Sequence, residues 1–343
     1  MYRLLTALQR GFHDHIGWKR LGIAASLIII VVAISTLVRL LKGVDVNVIL
    51  LALRDTPPAQ IGLAAICVAC AFFTLTFYDL FALRTIGKRH VPYRIAALSS
   101  FTSYTVGHNI GATVFTGGAI RFRIYSEWGL SAIDVAKICF VSGLTFWLGN
   151  LFVLGIGMMS HPEAASYIIL LPADMIRLIG AGCVIGIAAY LLWLALAPGR
   201  RQLGQNGWKV VLPSARLTLL QIAIGVVDLT FCALAMYLLM PSQPDIDFLS
   251  LAVVFILATL LGFASHAPGS VGVFEFGMLV ALPQFGKEHL LAAILVFRML
   301  YFVIPFMISI TILASRELWH NVIQPWRDRR RMNGAEHAAS PGE

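Results

Sequence analysis

Seven ionisable residues lie in or against stretches too apolar to solvate them: Asp79, His108, Arg121, Arg123, Asp228, Glu275 and Arg298. In hydrocarbon such a side chain requires a partner, water or a function. A carboxylate at that depth exchanges protons or meets an amine, and an arginine offers a planar fork suited to phosphate oxygens. Six glycines accompany them. Gly107 and Gly111 flank His108, Gly117 and Gly118 precede Arg121, and Gly269 and Gly272 precede Glu275. Glycine lets the backbone break and lets a headgroup approach it closely, so these six read as hinge glycines. Irregular backbone inside a bilayer is tolerated only where protein or a polar cavity covers it. The combination points to binding or passing a polar group within a membrane.

Each residue also has a plainer reading. Asp79 stands about one turn from the inner end of its apolar run, where it either pairs with Arg84 or faces a cavity. Asp228 is near the middle of its run, beyond rescue by snorkelling. Arg298 is about eight residues into the last run, roughly 12 Å deep at 1.5 Å per residue. Unpaired, it would cost on the order of 3 kcal/mol or more. Glu275 is its natural partner, as a structural ion pair or as part of a polar path. Arg121 and Arg123 either capture phosphate at a cytoplasmic mouth or serve as positive-inside anchors. His108 and His266, each beside a glycine break, read as hydrogen-bonded hinge residues, and His13-Asp14-His15 as solvated surface.

The elements that position these residues are membrane helices. The chain has 343 residues, 59% hydrophobic and 13% charged, with a mean hydropathy of +0.82. Such a composition lies outside the soluble globular class. Apolar runs of roughly 20 residues, enough to cross a hydrocarbon core, recur along the chain. They predict an all-α polytopic membrane protein of about eight transmembrane helices: 21–41, 60–83, 138–158, 175–196, 215–240, 248–264, 269–284 and 290–314. Residues 1–20 form a cytoplasmic basic arm, 21–315 a single integral membrane domain, and 316–343 a basic, disordered tail. The run 21–41 is too long for a signal-peptide core.

The formal charge of +9 gathers in short segments at helix ends, which indicates orientation rather than nucleic-acid binding. Segments 161–174 and 241–247 contain no lysine or arginine at all, so both read as external, with both termini cytoplasmic. Residues 44–54 read as a short surface helix. Parity then makes 95–118 a re-entrant glycine-broken hairpin entering from the cytoplasm. Segments 248–264 and 269–284 are either two thin spans or two half-helices. Asp79 on an inward helix and Asp228 on an outward one, each followed by a break, suggest an inverted repeat. The five cysteines, Cys67, Cys70, Cys139, Cys183 and Cys232, fall in apolar stretches and read as packing residues. No zinc pattern, P-loop, HExxH or GxSxG motif occurs, so neither metal nor cofactor nor catalytic residue is expected.

The stretches Tyr78-Asp79-Leu80, Gly107-His108-Asn109-Ile110-Gly111 and Gly117-Gly118-Ala119-Ile120-Arg121-Phe122-Arg123-Ile124-Tyr125 resemble the membrane domain of the lysylphosphatidylglycerol synthase/flippase family. Pro268-Gly269-Ser270-Val271-Gly272-Val273-Phe274-Glu275 is similar to its second glycine motif, which usually has glycine in place of Ser270. The resemblance implies lipid handling, with Asp79, Arg121 and Glu275 matching the family's intramembrane Asp, Arg and Glu. It implies a stand-alone form without the aminoacyl-transferase domain. The expected function is translocation or binding of a lipid headgroup, an aminoacyl-phospholipid or related lipid, between leaflets of the cytoplasmic membrane. The alternative is a membrane-embedded lipid-modifying enzyme or an accessory subunit of a lipid-synthesis complex. Membrane lipids, through phospholipid headgroups, are the expected partners, with a homo-oligomer or a separate lipid-synthesis enzyme as protein partners. Without a nucleotide motif, direction is expected to come from a gradient, from consumption of the lipid or from a partner.

Overall fold

The computed structural model describes Arg54 and residues 56–111, 113–196, 202–203, 210–265 and 268–319. The basic arm, the run 21–41, residues 44–53, His266 and the tail beyond 319 lie outside the described residues.

The regular structure among the described residues is helical apart from one antiparallel pairing of β1 (Gln202–Leu203) with β2 (Val210–Val211). In order they are α1 (Pro58–Thr85), α2 (Tyr93–Ile110), α3 (Thr113–Ser126), α4 (Ala132–Ser160), α5 (Pro162–Ile169) and α6 (Ala173–Leu196). After the strands come α7 (Ala215–Leu239), α8 (Phe248–Ala264), α9 (Val273–Ala281), α10 (Lys287–Arg298) and α11 (Ile304–Leu318). Local chemistry sets the ends. Pro58 opens α1, where its missing N–H is not needed. Gly87, at φ 82°, turns the chain out of the same helix. Ser131 and Asp134 cap α4 reciprocally, and Asp247 caps α8 through the Ser250 N–H.

Among the described residues five helices are long and apolar enough to cross a membrane: α1, α4, α6, α7 and the continuous rod His289–Leu318. This is a multi-pass membrane protein. The rod is continuous because α10 passes into α11 through a wider π-type turn, Met299–Val303. Pro305 explains the turn, since it removes one backbone donor and crowds the carbonyl four residues earlier. Segment 269–284, expected as either a thin span or a half-helix, is short. Its helix is α9 alone, nine residues long, or about 14 Å against a core of about 30 Å.

Both glycine-broken segments fold back on themselves. A Cβ on Gly107 would meet Thr113, and one on Gly117 would meet the Ser103 carbonyl oxygen at 3.1 Å, so α2 and α3 run antiparallel about Gly111. Similarly, Gly262 faces Ser270 and Gly277 faces Ala258, which folds α9 back along α8. Each fold-back is preceded by a long helix (α1, α7) and followed by another (α4, α10–α11). The break positions are Gly111, Gly269 and Gly272, at φ 85°, 61° and 84°. Gly107 and Gly117 instead lie within α2 and α3, where they permit close packing rather than a bend, and Gly118 lies within α3 with only the Cys139 Sγ near it, at 3.7 Å.

The long helices meet through small residues. A Cβ on Gly149 would stand 2.8 Å from the Gly225 Cα, so α4 and α7 cross in backbone contact. Gly149→Ala should therefore destabilise the protein by about 1–3 kcal/mol, because neither backbone yields without moving a helix. Gly182→Ala, with nothing within 4 Å of the new methyl, should cost nothing. Unfolding in detergent distinguishes them, and equal stability would contradict the crossing.

Candidate functional site

The site begins with Asp79, fully buried on α1. Arg121 of α3 donates from Nε to both carboxylate oxygens, at 3.1 and 3.0 Å, and from Nη2 to Oδ1 at 2.9 Å. Tyr125 donates to Oδ2 at 2.9 Å and Ser142 of α4 to Oδ1 at 3.2 Å. The carboxylate is thus satisfied by one cation and two hydroxyls, which makes a charge tolerable at this burial. Arg84 is not among its hydrogen-bond partners. The Arg121 guanidinium also lies 5.0 Å from the centre of the Tyr104 ring, a cation–π contact.

A second charged centre forms at the other break. Arg298 contacts Glu275 in an ion pair. It donates from Nη1 to the Gly269 carbonyl at 2.9 Å and from Nη2 to the Ser270 carbonyl at 3.2 Å. Glu275 also accepts from the Gly272 N–H at 2.7 Å. Carbonyls and an amide that the irregular turn frees from helical bonding are thereby satisfied.

Between the two breaks lies a cavity of about 510 Å³, a size typical of small-ligand sites. The first fold-back supplies Tyr104, His108, Gly111 and Arg121, α4 supplies Cys139, Ser142 and Trp147, and the second contributes Gly262, Phe263 and Ser270. His108 packs its ring against Tyr104 and Phe263. Val114 and Phe115, 72% and 81% exposed, and Trp147, 53% exposed, stand at its edge. The cavity is therefore apolar over most of its wall, with a held guanidinium and an imidazole inside.

Not every expected residue lines this cavity. Arg123 points elsewhere, donating to Glu127 at 2.9 Å and to Glu317 at 3.1 Å. Arg316 contacts Glu127 in turn, so the end of α3 is tied to the end of α11. Glu275 and Arg298 brace the turn behind the wall. Asp228 faces a smaller chamber next to the cavity. Among the described residues no group of three or more His, Cys, Asp or Glu is placed to hold a metal ion.

Comparison with known proteins bears on this arrangement. No family model matches the chain. It is 30% identical over 266 residues to the uncharacterised protein slr0712 of Synechocystis, covering 77% of this chain and 80% of that one. It is 27% identical over 304 residues to the inner membrane protein YbhN of Escherichia coli, covering 87% and 92%. It is 24% identical over 307 residues to the phosphatidylglycerol lysyltransferase of Staphylococcus aureus, covering 87% of this chain and 34% of that enzyme, its membrane part. The chain belongs to the family of the lysylphosphatidylglycerol synthase membrane domain. Of the two motifs that carry the resemblance to this synthase domain, Gly107–Tyr125 lines the cavity through His108, Gly111 and Arg121, and Pro268–Glu275 through Ser270.

Several residues of the site are not singled out by the sequence pattern. Tyr125 and Ser142 complete the Asp79 shell, Tyr104 stacks on Arg121, and Tyr78 contacts Asp228. The available signal is a polar side chain in an otherwise apolar run, which fits Ser142 but is weak for tyrosine.

Proposed function

We propose that the protein binds a lipid headgroup in the cavity between its two glycine breaks and carries it between leaflets of the cytoplasmic membrane. The observation that supports this most is the cavity itself. It combines the Arg121 guanidinium with an apolar wall and a mouth of exposed Val114, Phe115 and Trp147. Phosphate suits the guanidinium, while acyl chains suit the edge. Arg121 remains a phosphate site despite Asp79, because the carboxylate fixes the fork in place through Nε and Nη2 and phosphate oxygens approach its remaining edge.

In this reading both termini are cytoplasmic, α2–α3 is a re-entrant hairpin from that side, and α8–α9 is its counterpart from outside. The repeated order of long helix, fold-back and long helix supports an inverted repeat, with the site at the interface of the halves. Gly111, Gly269 and Gly272 supply the bends. The protein acts without chemically altering the lipid, and its partners are phospholipid headgroups.

The binding step is testable with a phospholipid bearing a photoreactive group beside its phosphate. Labelling should concentrate on Thr113–Phe115 and around Trp147, and Arg121→Gln should reduce it several-fold. Labelling spread evenly over the lipid-facing helix α6, with no enrichment at the cavity, would contradict the proposal.

A further inference from the structure

Asp228 differs from the other membrane-depth carboxylates. Asp79 has Arg121 and Glu275 has Arg298. Among the described residues no cation pairs with Asp228, which is 4% exposed on α7. Its bonds are from the Tyr78 hydroxyl to Oδ2 at 3.1 Å and a weak contact of the Cys232 thiol with Oδ1 at 4.0 Å.

Asp228 lines a largely enclosed chamber of about 40 Å³. A single water needs roughly 10–15 Å³ by the same measure, so the space admits about three. The chamber shares Tyr104, His108, Phe146, Phe263 and Ser270 with the lipid cavity, which places His108 at their junction. The titratable groups around the carboxylate are Tyr78 from α1, Cys232 from α7, Tyr104 and His108 from α2, and Tyr301 from the π-type turn. The nearby cations are engaged elsewhere: Arg121 beyond Tyr104 with Asp79, and Arg298 beyond Phe274 and Phe302 with Glu275. An ionised carboxylate without a cation is costly at such burial, whereas the neutral acid needs only hydrogen bonds.

We propose that Asp228 is a proton-binding site serving the lipid cavity. Its carboxylate takes up one proton through the chamber past His108, becomes a neutral acid, and returns that proton by the same route when the cavity faces the other side. The proton enters from water on one side and leaves to water on the other, so headgroup movement responds to a pH gradient. The proposal rests on the translocation reading, and it gives a protein without a nucleotide motif a source of direction.

Two readouts separate the proton site from transport. The whole protein in lipid nanodiscs is followed by infrared difference spectroscopy between about pH 5 and about pH 9. Wild type should show the carbonyl band of a protonated carboxyl group that titrates, and Asp228→Asn should lack it. Tyr78→Phe keeps the ring but removes a hydrogen bond to the charged form, so the midpoint should rise by about one pH unit. In vesicles, an imposed pH gradient should bias wild-type lipid exchange several-fold towards one leaflet. The ratio of rates with and without the gradient should fall to one in Asp228→Asn. Exchange without a titrating band overturns the proton site alone. A titrating band without exchange overturns the reading on which the coupling rests.

Discussion

Replacing Arg121 by methionine should destabilise the protein by about 3–5 kcal/mol, the largest effect expected of any single change at the cavity. Asp79 is wholly buried, and the substitution removes the cation that contacts it through three hydrogen bonds. Tyr125 and Ser142 remain as donors, but two hydroxyls do not neutralise a charge. Breaking a buried pair on one side is costly because the survivor stays behind, whereas replacing both partners by apolar groups is often nearly neutral. Asp79→Leu combined with Arg121→Met should accordingly recover most of the stability lost by either change alone, while lipid capture stays impaired. Denaturation in detergent of the wild type, both single variants and the double variant completes the cycle. Additive losses would mean that the two side chains are not coupled.

Arg298→Met should cost a similar amount, about 3–5 kcal/mol, for two reasons. It strands Glu275, and it releases the Gly269 and Ser270 carbonyls that the guanidinium holds. The second loss falls on irregular backbone, so its effect should be local as well as global. A cysteine at Ser270, 5% exposed in the wild-type fold, should react several-fold faster with a small thiol reagent once Arg298 is changed. Arg298→Lys should restore the charge but not the fork, leaving that reactivity raised. Unchanged reactivity in both variants would show that Arg298 does not hold the turn.

These two centres were unequally legible in the sequence. Glu275 and Arg298 lie on neighbouring segments, and depth alone makes each require the other. Asp79 and Arg121 are 42 residues apart, and their meeting depends on α3 continuing to Ser126 rather than ending at the glycine pair. That continuation draws Arg121 inward to Asp79, while Arg123 turns to Glu127 and Glu317. The long apolar helices followed from length and composition, since lipid leaves little alternative for the backbone. The choice between a thin span and a half-helix at 269–284 did not, because these residues stay apolar across Gly269 and Gly272, and hydropathy is blind to a left-handed turn. The contact between Tyr78 and Asp228, 150 residues apart, follows from how α1 packs on α7, which no local pattern encodes.

We propose that the cavity conveys a lipid headgroup across the membrane unchanged. The most direct test is inter-leaflet exchange in vesicles that carry the purified protein and headgroup-labelled amino-, glyco- or polyprenyl-phospholipids. Exchange of at least one class should be faster than in protein-free vesicles, that acceleration should be lost in folded Arg121→Gln protein, and the lipid should be recovered chemically intact. Exchange no faster than in protein-free vesicles for every class, or recovery of a modified lipid, would contradict it.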